Sequence, residues 1–94
     1  MVSLPVLDLA AAPEMQLDVR GRRVEEVLPD VDRYLNDAFL AGMPFVRVLH
    51  GKGTGALRQA IREELSRHPL VASFSSAEAK DGGDGVTVIK LKSA

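Results

Sequence analysis

The chain contains no cysteine and no tryptophan, and its aromatic residues are three phenylalanines and one tyrosine. Without cysteine, a disulfide framework, a thiolate zinc site and cysteine nucleophilic chemistry are excluded together. No apolar run approaches the ~20 residues a membrane-spanning helix needs. No charged segment followed by an apolar one opens the chain as a signal peptide would. A soluble cytoplasmic domain with no membrane partner is therefore expected. Charge of one sign is also lacking: 12 basic residues against 13 acidic ones give a formal net charge of −1. Long-range electrostatics thus announce no nucleic-acid partner, and any anion site has to come from local clustering. At 94 residues there is room for one core and little more.

What is present reads as alternating strands and helices. The opening stretch "MVSLPVLDLAAAPEMQ" holds two prolines and an alanine run without sustained periodicity. Residues 1–13 are therefore expected to be a linker or N-terminal arm, and its start suggests a piece of something longer; residues 14–94 are expected to be the domain. "LDVR" (17–20) is a short strand candidate ending at Gly21. Val24, Val27, Leu28, Val31, Leu35, Ala38 and Phe39 recur at spacings of three and four, one face of a helix ending near Gly42. Pro29 falls inside that pattern, so the helix is either kinked there or regular only from Pro29 onward.

"FVRVL" (45–49) reads as a buried strand, and Leu57, Ala60, Ile61 and Leu65 form a second helical stripe stopped by Pro69. In "LVASFSS" (70–76), Leu70, Ala72 and Phe74 alternate with Ser73 and Ser75, as in a half-exposed strand. A glycine-rich turn (79–85) precedes "VTVIKL" (86–91), apolar on both faces like a central strand. Phe39, Phe45 and Phe74 are expected in the core, Tyr34 in a partly exposed packing position, and His68 at a helix C-terminus answering the dipole. The order β-α-β-α-β-β predicts an α/β (α+β) two-layer sandwich: a four-stranded mixed sheet, order 1-2-4-3, with both helices on one face. Ligands of open α/β sheets bind at the carboxyl ends of parallel strands. Here that rim is made by the loops after Arg20 and after Leu49.

The second of those loops, "HGKGTG" (50–55), has glycines at alternate positions. Gly51, Gly53 and Gly55 allow close backbone approach, and the following helix N-terminus adds partial positive charge. Thr54 is a candidate N-cap. Lys52 and Arg58 lie on this loop and first turn; Arg20, Arg22 and Arg23 lie on the neighbouring one. Together with His50 they point to oxyanion binding. The bland reading, in which the glycines only turn the chain from strand to helix, stands beside it. Nucleotide readings fail on spacing. The ATPase phosphate loop needs G-x-x-x-x-G-K-[ST], and 51, 53, 55 is not G-x-G-x-x-G. No nucleotide cofactor is expected. His50 is the one rim group that titrates near neutrality and could act as general base, with Lys52 and the arginines on the developing charge. Asp18 could orient the imidazole, hold one divalent cation (magnesium or manganese) or form a salt bridge with Arg20. A two-metal site would want more carboxylates than this rim offers.

The pair "LDVRG" (17–21) and "HGKGTGALR" (50–58), with "VEE" (24–26) and the late "GGDGVTVIKL" (82–91), resembles the Smr (small MutS-related) domain. The form is that found at the C-terminus of the second bacterial class of MutS proteins. The resemblance covers about residues 14–92. It implies the fold of the C-terminal domain of translation initiation factor three, nucleic-acid binding, and an endonuclease that nicks DNA, with recombination or repair intermediates as substrates and RNA cleaved by some members. Carried residue by residue, it implies Asp18, Arg20, His50 and Lys52 as catalytic, and Arg22, Arg23, Gly51, Gly53, Thr54, Gly55 and Arg58 as phosphate-binding. Many members have a histidine where Arg20 stands, and Pro29 interrupts a helix usually drawn as continuous. The isolated domain is expected to be a monomer and its ATPase parent a dimer. The reading from another class is a module that docks on DNA, RNA or the ribosome without cutting.

Overall fold

Alternation in the strands and three-to-four spacing in the helices resolve into six main elements. They are β1 (Gln16–Asp18), α1 (Val24–Leu40), β2 (Phe45–Leu49), α2 (Ala56–Arg67), β3 (Val71–Ser76) and β4 (Val86–Leu91). The structure, a computed structural model, describes residues 12–93, so the expected arm lies outside the described residues up to residue 11. The sheet order is β1-β2-β4-β3, with β1 and β2 parallel and both other pairings antiparallel. This is the expected α+β two-layer arrangement. Val27, Val31, Leu35 and Ala38 of α1 meet Ile61 and Leu65 of α2 over Val46, Val48 and Ile89 of the sheet, all within one buried cluster.

The departures are local. β1 stops at Asp18, although Val19 still donates to the Leu49 carbonyl at 2.9 Å. α1 is continuous from Val24 with Pro29 inside it, so the helix does not begin at Pro29. Phe45 is not core. Strand alternation turns Val46 and Val48 toward the helices and leaves Phe45 on the opposite face, paired with Lys90 and 36% exposed. In β3 a bulge between Val71 and Ser73 resets the alternation, so Val71 packs on the core with Phe74 while Ala72 is exposed. Tyr34 is buried, and its hydroxyl donates to the Glu14 carbonyl at 2.5 Å, fastening the segment before β1 onto α1. Burial, with the Glu14 charge, pushes its phenol up to about 12.

His68 is structural, but its partner is a side chain. Its Nδ1 accepts from the Leu70 N–H at 3.2 Å, which leaves Nε2–H to donate to Asp32 at 2.7 Å. The end of α2 is thereby tied to α1. Two short 3₁₀ turns, Ala79–Asp81 and Gly83–Gly85, lie between β3 and β4. The second ends at buried Gly85, whose carbonyl accepts from the backbone N–H groups of both His50 and Gly51, at 3.1 and 3.0 Å. That pair of bonds fixes where the glycine loop leaves β2.

Candidate nucleic-acid interface

Parallel pairing of β1 and β2 sets the loops after them side by side, as the strand order requires. Between them opens a cavity of about 490 Å³. One wall is Gly21–Glu25 and the other His50–Arg58, so the two motifs converge on one rim. The loop's path depends on positive φ. Gly51 has φ +80° with the Arg20 side chain against it, and Gly55 has φ +86° at the residue that caps α2. The cap is therefore Gly55 and not Thr54, because the last non-helical residue must take a left-handed conformation that threonine resists. The Thr54 hydroxyl still accepts from the Ala56 N–H at 3.3 Å. Ala56, Leu57 and Arg58, whose amides have no partner within the helix, line the same cavity.

The cations are not equivalent. Arg22, Arg23, Lys52 and Arg58 line the cavity. Arg22 is held by Asp30 at 2.6 Å, whereas Lys52, Arg23 and Arg58 make no ion pair among the described residues. Arg20 and Asp18 lie beside the cavity and not in its wall, locked to one another. Arg20 gives its Nε–H and backbone N–H to Oδ1, both at 3.0 Å, and its Nη2 to Oδ2 at 2.8 Å. Those bonds, side chain first, hold the Asp18 carboxyl at about 2, below the ordinary 3.8. Of the roles open to Asp18, the salt bridge is the one the structure contains. Both carboxylate oxygens are occupied, and no three metal-ligating side chains converge among the described residues. Among the described residues the rim therefore offers no preformed cage of protein ligands for a divalent cation. Glu25, which stands in the quoted "VEE" but was given no role, is the carboxylate of the cavity wall.

His50 lines the cavity yet is 5% exposed. Its Nδ1 is 2.9 Å from the Gly51 carbonyl, which can only accept, so Nδ1 carries the proton in the neutral ring. The lone pair is then on Nε2, 2.8 Å from the Thr87 hydroxyl, which donates to it. Burial pushes the imidazole below its ordinary 6.5, with Arg62 and Arg58 adding to the shift against the Gly51 bond. A neutral base in one tautomer is what the expectation required. Its lone pair, however, points at buried Thr87 in β4 and not into the cavity. Thr87 and Gly85 were not singled out from the sequence. The signal for Thr87 was available, as the lone hydroxyl in the apolar run "VTVI".

Comparison with known proteins agrees with this arrangement. The family model described as the Smr domain matches residues 17–92. Endonuclease MutS2 of Caldicellulosiruptor bescii is 51% identical over 79 residues, 84% of this chain and 10% of that protein. Endonuclease MutS2 of Symbiobacterium thermophilum is 51% identical over 88 residues, 92% of this chain and 11% of that protein. The chain thus spans about a tenth of the length of these curated relatives. Among solved structures, the Smr domain of Thermus thermophilus MutS2 superposes with a TM-score of 0.82 at 51% identity, covering 84% of this chain and 99% of that one. YdaL, a stand-alone small MutS-related protein of Escherichia coli, shares the fold with a TM-score of 0.79 at 23% identity, covering 97% of this chain and 75% of that one.

Proposed function

The chain belongs to the Smr domain family, and from that premise and the rim cavity we propose that it binds nucleic acid and nicks DNA by hydrolysing a backbone phosphodiester, as one domain of a larger MutS-like ATPase. The observation that carries the reading is the convergence of Lys52, Arg23, Arg58 and the N-terminal turn of α2 on one cavity, in a chain of net charge −1. A phosphodiester fits that set. Backbone donors and the helix terminus hold its non-bridging oxygens, and Lys52 with the arginines opposes the charge that grows on them during attack by water. Its relatives are named endonuclease, which supports a nuclease setting. In this scheme His50 is the proton acceptor once the imidazole exchanges Thr87 for the attacking water. Asp18 keeps Arg20 against Gly51.

A second reading is favoured by one observation: the expected base His50 and the carboxylate Asp18 are both engaged internally, Asp18 by Arg20 and His50 by Thr87. It makes the domain a module that binds the backbone without cutting. Supercoiled plasmid incubated with highly purified domain separates the two. Open circles formed by the parent and lost in identically purified His50→Ala and Lys52→Ala support hydrolysis. Equal cutting by all three would show the nuclease to be a contaminant, and retarded but uncut plasmid would leave the binding module.

A further inference from the structure

Beyond the rim, α2 presents two guanidinium groups to a second groove. Arg58 and Arg62 both line a hollow of about 570 Å³ along the outer side of the helix. They are four residues apart, hence stacked one turn above the other with Cα atoms about 6 Å apart. Like charges so placed repel, and neither forms an ion pair among the described residues. Each also has a buried Nε–H with no acceptor.

Arg62 is held in place without being neutralised. Its guanidinium lies over the Phe74 ring at 5.7 Å, and its Nη2 donates to the Ser76 hydroxyl at 2.8 Å. Ser76 in turn donates to Asp84 at 2.9 Å, so that carboxylate reaches Arg62 only through the hydroxyl. Glu63 also borders the groove but pairs with neither arginine. Burial, followed by the Arg58 charge, pushes the Arg62 guanidinium below its ordinary value, the direction a nearby anion would reverse.

Thr54, Gly55 and Arg58 line both this groove and the rim cavity, so the two adjoin. We propose that Arg58 and Arg62 form a second phosphodiester subsite, which takes the phosphate next to the one held on the glycine loop and so fixes the path of the strand along α2. The proposal rests on the reading of the rim as a phosphate site, and it adds Arg62, which the sequence motifs do not reach. An anion there would remove the repulsion between the guanidinium groups and take the terminal N–H donors that the groove leaves open.

The test is binding of a short single-stranded oligonucleotide to the 94-residue chain across a salt series. Each lost phosphate contact flattens the slope of log K against log salt by about 0.7 on a single strand. Arg62→Gln and Lys52→Ala are each expected to flatten it by that amount, and the double variant by about twice as much. Arg62→Lys keeps the charge without the fork and is expected to retain the slope while weakening binding. If Lys52→Ala flattens the slope and Arg62→Gln does not, the second subsite is overturned and the rim stands. If neither changes it, the rim reading fails as well. Should Arg62→Gln fold poorly, single methylphosphonates stepped along the strand give the answer with the unaltered protein. Two adjacent sensitive positions support the subsite, and a single sensitive position refutes it.

Discussion

His50 holds its ring by two bonds of opposite sense, donating from Nδ1 to Gly51 and accepting at Nε2 from Thr87. That arrangement allows two roles, and Thr87→Val separates them. If His50 is a base that must shed Thr87 to reach water, the variant frees its lone pair, and cutting should hold or rise. If His50 serves by shaping the loop, Thr87→Val should lower phosphate affinity together with cutting, as His50→Ala does. Its depressed pKa has a consequence for stability. The folded state favours the neutral ring, so below about pH 6.5 the unfolded chain takes up the proton more readily and stability falls with pH. Urea unfolding at pH 7.5 and 5.5 should show that loss in the parent and a smaller one in His50→Gln. Asp18 acts in a lower window. Its contribution is complete above 3.8 and disappears as pH falls toward about 2.

At the scale of elements, α1 and α2 are joined by His68, whose side chain is 4% exposed while Asp32 remains 56% exposed. His68→Phe keeps much of the bulk but leaves the Leu70 N–H without its acceptor and Asp32 without its donor. A loss of about 1–3 kcal/mol is expected in urea unfolding, with the salt dependence of binding unchanged because the bond lies away from the rim. α1 contains Pro29, which cannot donate to the Glu25 carbonyl one turn earlier and crowds it. Glu25 is exposed, so water can take that carbonyl, and the helix runs through. Pro29→Ala should therefore stabilise the domain by about 1–2 kcal/mol, less than the full interior penalty because proline also restricts the unfolded chain. At this size that is a rise in melting temperature of roughly 5–15 °C. An unchanged melting temperature would mean that the ring fits its helix without cost.

For the molecule as a whole, charge placement matters more than charge sum. Acidic and basic residues nearly cancel, yet among the described residues four unpaired cations, Arg23, Lys52, Arg58 and Arg62, line the cavity and groove against two unpaired carboxylates, Glu25 and Glu63. Arg20 and Arg22 are already answered by Asp18 and Asp30. Three or four phosphate contacts give a slope of log K against log salt of about −2.7 to −3.6 on duplex DNA, at ~0.9 each. Affinity at physiological salt should then be ~micromolar or weaker and nearly independent of sequence, since backbone contacts carry no base information. Nanomolar binding that resists salt would require a recognition surface other than this rim. Linear duplex, four-way junction and single strand measured in one salt series provide the check.

Periodicity was enough to specify the element order, because hydrophobic spacing is local, and right-handed crossovers with a doubly apolar β4 inside the sheet then left the 1-2-4-3 order and the convergence of both motifs at the ends of β1 and β2. Spacing also placed Lys52, the alternate glycines and Arg58 on one loop and first turn. Which cations remain free was decided only in three dimensions. Arg22 meets Asp30 eight residues away, and Arg20 meets Asp18 by a rotamer that the string of letters does not show. The direction of the His50 lone pair was likewise beyond reach. Thr87 lies 37 residues on, and only the antiparallel pairing of β2 with β4 brings the two together. The groove at Arg62 has the same origin: Ser76, Phe74 and Asp84 come from β3 and the turn after it, and they meet α2 only when the sheet closes beneath the helices.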